Sequence, residues 1–264
     1  MLCSFLNKEK KFSYIKEGSG HPLVLLHGLM GGLSNFNALL DFFPKKGYKV
    51  IIPRLPLYNM PLFLTNISNL SKYVIQLLIE IGIEKATLIG NSLGGHIALI
   101  VAKKRIDLVH SVVLTGSSGL FEKAFGDAVP KRENYEYIRK KSQEVFYDPK
   151  IATKELVDEV FHIVNDKKKG MKTLYIAKSA MKYNMSKDLS VIQQPICLIW
   201  GKQDHVTPPE VAEEFHRLLP HSELYWIDKC GHVPMMEHPQ EFIKILEKWL
   251  SKFNLNHENF FCKI

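Results

Sequence analysis

Short apolar runs that alternate with longer helical patterns constrain this chain more than any other feature. Runs rich in Val, Ile and Leu stand at 22–27, 48–53, 86–90, 109–115, 195–201 and 223–227. They are continuous rather than alternating, as strands covered on both faces require. Helical patterns fall between them at 35–43, 68–81, 93–104, 209–218 and 239–252. Pro209 and Pro239 suit a first helical turn, where a missing N–H costs nothing. Strand and helix in succession build βαβ units, so the predicted class is α/β, a mostly parallel sheet flanked by helices. Residues 12–16 alternate apolar and polar, as an antiparallel edge strand does.

The rhythm fails between Gly116 and Ile192, where no strand pattern is convincing and helical patterns appear at 135–146 and 154–164. A helical insertion between two strands of one sheet should sit above their carboxyl ends. The expected division is therefore a core at 1–116 and 192–264 and a helical lid at 117–191. At 264 residues the chain fits one α/β domain with such an insertion, and 46% hydrophobic residues exclude a disordered class.

Partners are bounded by absences. The longest strongly apolar run, 74–83, is broken by Gln76 and Glu80 and falls short of the roughly 20 residues that span a bilayer. At the start, MLCSFLNKEKK puts its apolar patch before the lysines, the reverse of a secretory signal, so a cytoplasmic protein is expected. Cys3, Cys197, Cys230 and Cys262 form no C-x-x-C pair, which points to reduced thiols and to neither metal nor disulfide framework. The net charge is +8. Residues 120–190 hold 15 basic and 11 acidic side chains against 20 and 16 elsewhere, with both signs interleaved. Lys167, Lys168 and Lys169 read as a loop. A soluble surface follows, with a small-molecule substrate, no cofactor, no nucleic acid and no membrane partner; assembly of identical copies stays open.

Gly90-Asn91-Ser92-Leu93-Gly94, followed by Gly95, matches G-x-S-x-G directly after a predicted strand and before a predicted helix. Read blandly it is a glycine-rich turn, but this context is the one a nucleophilic serine needs. Glycines on both sides relieve crowding, and the helix N-terminus offers N–H groups to a developing oxyanion. His27-Gly28-Leu29-Met30-Gly31-Gly32 follows the first buried strand, so the N–H groups of Leu29 and Leu93 are the expected oxyanion donors, with Met30 the substitute for Leu29. His27 itself reads as structural.

A serine hydroxyl needs a base, and the base a carboxylate to fix its tautomer. Asp204, in Trp200-Gly201-Lys202-Gln203-Asp204-His205, and His232, in Cys230-Gly231-His232, each follow a strand. The rivals are His205 and Asp228; His96 and His110 read as helix and strand-edge residues.

With HGLMGG, GNSLGG, WGKQD and GHVPMMEHP in order, the chain resembles the α/β-hydrolase superfamily over almost its full length. The resemblance implies the α/β-hydrolase fold and a Ser92, Asp204, His232 triad, and says little of substrate. GNSLGG is similar to the GNSMGG of the meta-cleavage-product C–C hydrolases, which cut vinylogous diketones, and 137–156 looks like their lid. By that resemblance Asn91 helps hold substrate. Where that branch has a lid arginine and a tryptophan after the catalytic histidine, this chain has Val160 and Val233, which make an apolar substrate surface unless Arg132 or Arg139 compensates. Arg54 stands after the second parallel strand, where many relatives carry an aspartate. The expected activity is that of a carboxylesterase on small, neutral, apolar acyl esters. The alternatives are a C–C hydrolase of meta-cleavage-type diketones and a non-catalytic binding protein, disfavoured because all three triad residues are kept.

Overall fold

The computed structural model describes residues 6–9, 12–121 and 131–253. Its centre is an eight-stranded sheet: β1 (Leu6–Glu9), β2 (Phe12–Glu17), β3 (His21–Leu26), β4 (Tyr48–Pro53), β5 (Ala86–Asn91), β6 (Val109–Thr115), β7 (Ile196–Gly201) and β8 (Ser222–Ile227), in the order β1-β2-β4-β3-β5-β6-β7-β8. β1 and β2 run antiparallel; β3 to β8 pair in parallel. The alternating strand at 12–16 is thus antiparallel but not an edge, because β1 covers it. LNKE is too short and polar to announce itself as a strand.

Period two divides the core. On β3, Val24 and Leu26 join one buried cluster with α2 (Ile67–Glu80) and α3 (Leu93–Lys104), whereas Leu23 and Leu25 join the other with α1 (Asn37–Phe42) and α9 (Pro239–Leu250). After β4 the chain crosses back over β3 to make β5, so the strand order reverses there. In open α/β sheets ligands bind outside the carboxyl ends of strands at such a reversal. The two glycine-rich motifs follow β3 and β5, which pair in register Leu26 to Gly90.

Between β6 and β7 lie α4 (Tyr135–Gln143), α5 (Lys154–Asn165) and α6 (Lys167–Lys182). α6 corrects the expectation of a loop at Lys167, Lys168 and Lys169. Three lysines at a helix N-terminus oppose the macrodipole, but the Asp166 carboxylate accepts from the N–H of Lys168 at 2.9 Å and of Lys169 at 3.0 Å. Phe146, Ala152 and Val157 enter one apolar layer, and Ile176 and Ala180 of α6 enter the other. α7 (Pro209–Leu218) and the short α8 (Pro234–Glu237) complete the helices. No helix among the described residues is long and apolar enough to cross a membrane.

Candidate active site

Ser92 links β5 to α3 as a single residue with φ 54° and ψ −120°, a conformation that costs a non-glycine residue about 1–3 kcal/mol. The surroundings hold it there. Its N–H donates to Thr115 O at 3.1 Å, and its carbonyl accepts from Gly95, His96 and Ser118 at 3.0–3.2 Å. Gly94 permits the turn, since a Cβ there would stand 1.9 Å from Leu26 O. Gly28 passes close by: a Cβ on it would lie 3.3 Å from the Ser92 Cβ. Ser92 itself keeps partial exposure.

His232 and Asp204 are buried together, Nδ1 to Oδ2 at 2.9 Å. Oδ1 of Asp204 accepts from the N–H of Val206 at 2.8 Å and of Thr207 at 2.9 Å, and Oδ2 accepts from the Thr207 hydroxyl at 2.8 Å. An ionised carboxylate only accepts, so four donors converge on it and the His232 proton sits on Nδ1. Nε2 is then the acceptor of the neutral ring.

Two contacts bring this pair to the serine. Asn91 Nδ2 donates to Thr115 O and to His232 O, both at 3.0 Å. Gly116, at φ 51°, lies so close to the His232 ring that a Cβ would stand 2.7 Å from Nδ1. The same strand end thus serves the Ser92 N–H and packs against the histidine.

The rivals fall elsewhere. His205 is exposed. Asp228 is on the surface, taking a 3.3 Å bond from Gln203 Nε2. His96 is buried against Tyr183 and Gly119. His110 packs its ring on His21. Leu29 and Met30 are half-buried, and Leu93 is buried at the first position of α3, where an N–H has no intrahelical acceptor. Val160 is half-buried on α5, and Val233 is buried in the cluster that holds Val157 and Phe146. Asn91 uses both amide hydrogens on main-chain carbonyls, which leaves its oxygen alone for any further contact.

His27 fixes the loop after β3. Its Nε2 accepts from Leu55 N at 3.3 Å, so Nδ1 carries the proton that Gly28 O receives at 2.9 Å. Burial lowers its pKa, the Gly28 bond opposes this, and the positive Arg54 lowers it further; the ring is neutral.

Two residues were not singled out from sequence. Thr207 orients Asp204, and the Asp-x-x-Thr spacing, whose carboxylate takes N–H groups two and three residues on, is its signal. Glu237 accepts from Gly231 N at 2.7 Å and from Tyr147 N at 2.7 Å, tying the loop of His232 to the insertion, while His232 N donates to Val145 O at 2.9 Å. Its one sequence signal is a carboxylate set beside two methionines. Burial raises the Glu237 pKa, and these N–H groups pull the other way. Cys197 and Cys230 are buried thiols with raised pKa, chiefly from burial; Cys3 and Cys262 lie outside the described residues. Among the described residues no cluster of three His, Cys, Asp or Glu could hold a metal ion.

The profile of the Alpha/beta hydrolase family matches residues 23–245. The chain belongs to that family. Among solved structures it is similar to MGS-MChE2, an alpha/beta hydrolase enzyme from the metagenome of sediments of the Mar Chica lagoon, Morocco. Identity is 48% and TM-score 0.79, over 94% of this chain and 99% of that one. It is 27% identical to the uncharacterized hydrolase YugF of Bacillus subtilis (strain 168), over 87% of this chain and 89% of that protein. It is 28% identical to a 2-hydroxy-6-oxononadienedioate/2-hydroxy-6-oxononatrienedioate hydrolase of Paraburkholderia phymatum, over 92% of each. The likeness to the meta-cleavage branch, read from GNSLGG, is met by this 2-hydroxy-6-oxo-dienedioate hydrolase. This alpha/beta hydrolase is an enzyme of the hydrolase class with the α/β-hydrolase fold.

Proposed function

We propose that this alpha/beta hydrolase is a serine carboxylesterase acting on small, neutral, apolar acyl esters. The observation that carries the proposal is the buried Asp204–His232 pair at 2.9 Å, bound through Asn91 and Gly116 to the strained turn that presents Ser92. His232 Nε2 takes the Ser92 hydroxyl proton as the oxygen attacks the ester carbonyl, and Asp204 stabilises the imidazolium. The N–H groups of Leu29 and Leu93 receive the oxyanion, with Met30 N–H the substitute for Leu29. The imidazolium then protonates the leaving alcohol, and a water activated by the same ring releases the acid from Ser92. Asn91 serves this site as a positioning residue. The described helices of the insertion, α4 to α6, serve as the lid, and Val160 and Val233 supply apolar surface to the acyl side.

C–C hydrolysis is the second reading, favoured by the relative that is a dienedioate hydrolase. The two separate on charge. An acidic dienoate needs a cationic partner, and losing one typically costs 2 to 5 kcal/mol, whereas each acyl CH₂ buried on valine gains about 0.8 kcal/mol. A panel of p-nitrophenyl acyl esters and 2-hydroxy-6-oxo-dienoates should give the esters a kcat/KM higher by roughly two orders of magnitude. Dienoates turned over faster than every ester would overturn the esterase in favour of C–C cleavage.

A further inference from the structure

We propose that the outer face of α6, with the neighbouring loop that carries Phe63, docks on the surface of an anionic phospholipid bilayer. Charge is the first observation. Residues 167–187 contain seven lysines and no Asp or Glu, whereas the other 243 residues carry 28 basic and 27 acidic side chains. Nearly the whole net charge of +8 therefore sits on one helix and the turn after it.

The apolar pattern is the second. Thr173, Ile176 and Ala180 are buried on the inner side of α6. Met171, Leu174, Tyr175 and Met181, spaced three, one and six residues apart and 46–58% exposed, share the outer side with Lys178 and Lys182. A helix of a water-facing surface shows the opposite arrangement, with charge alone outward. Phe63, 79% exposed, continues this face. It belongs to the stretch 55–71, which has no charged residue. Leu62, Phe63 and Asn66 on one side and Tyr175, Lys178 and Lys182 on the other line a single groove of about 790 Å³.

The lysines are available. Lys172 is turned inward, donating to Tyr58 O at 2.8 Å, and Lys169 lies over the Tyr58 ring. Lys167, Lys168, Lys178 and Lys182 are exposed, and none forms an ion pair among the described residues. The flanking acids are engaged: Asp166 caps the helix and Asp188 pairs with Lys103 at 2.7 Å. Lysines beside a row of Leu, Tyr, Met and Phe fit an interface that is negative at its surface and hydrocarbon a few ångströms below. A helix too short and polar to span a bilayer can lie against one.

The test is sedimentation of the full chain with vesicles of phosphatidylcholine alone or with roughly one-third phosphatidylglycerol. Wild type should pellet with the anionic vesicles near roughly 0.1 M salt, stay in solution with neutral ones, and be released near roughly 0.5 M. K178E/K182E should weaken partitioning roughly thirtyfold or more, as two lysines lost at an anionic surface imply. L174S/Y175S should weaken it too, and both variants should keep wild-type circular dichroism. Wild type left in solution with anionic vesicles, equal binding to neutral ones, or undiminished binding by folded K178E/K182E would overturn the proposal. So would a wild-type dimer that both variants dissolve, since the face would then join copies of the chain.

Discussion

Glu237 joins the His232 loop to the helical insertion by accepting main-chain N–H groups from Gly231 and Tyr147. A glutamine there keeps one acceptor oxygen but turns an NH₂ toward a donor. Glu237→Gln should therefore lose about 1–3 kcal/mol of stability in urea unfolding, and wild-type stability would show that the bridge carries no load. Such a role is hard to read from a sequence, because the donors are backbone groups that only the tertiary fold assembles, 90 residues apart for Tyr147. The candidates Ser92, Asp204 and His232 could be picked out for the opposite reason: each lies in the loop or turn just after a strand, and their side-chain chemistry names the part each can play. Asn91 lies between the two cases. Resemblance assigned it to the substrate, while its amide is bonded to Thr115 and His232 carbonyls.

At the scale of elements, the buried strands and α3, α7 and α9 stand close to where apolar runs and N-terminal prolines put them. α2 begins a residue earlier than its pattern, at Ile67, because Asn66 caps it: the side chain accepts from Asn69 N at 2.9 Å. Asn66→Ala should cost about 1 kcal/mol, read from the urea midpoint at constant m; no shift would mean the cap is replaced by solvent. α6 was misread because its first turn is three lysines, the residues the macrodipole disfavours there, and the compensating cap stands just outside the run. β1 was missed because four residues with two charges carry no strand pattern of their own.

For the whole molecule, stability should depend on pH through its histidines. Burial, the larger cause, and then the neighbouring His110 lower the pKa of His21 to about 4. Burial lowers His96 to about 4 as well, and His27 and His110 shift the same way, chiefly from burial. The unfolded chain titrates these rings near 6.5, so between about 6.5 and 4 it binds protons that the folded chain does not. Their contribution to stability is complete above about pH 6.5 and lost as pH falls. Unfolding near pH 5 should take up about two protons from His21 and His96 alone, seen as a falling urea midpoint from pH 7 to 5; a flat midpoint would contradict it. The Ser92, His232 and Asp204 assignment has a more direct test, the mass of protein acid-quenched during turnover of a p-nitrophenyl ester. An added acyl group on the peptide containing Ser92 is expected, absent in Ser92→Ala and formed more slowly in Asp204→Asn by a factor of roughly 10⁴. Full ester turnover by Ser92→Ala, or an acyl group only on another peptide, would contradict it.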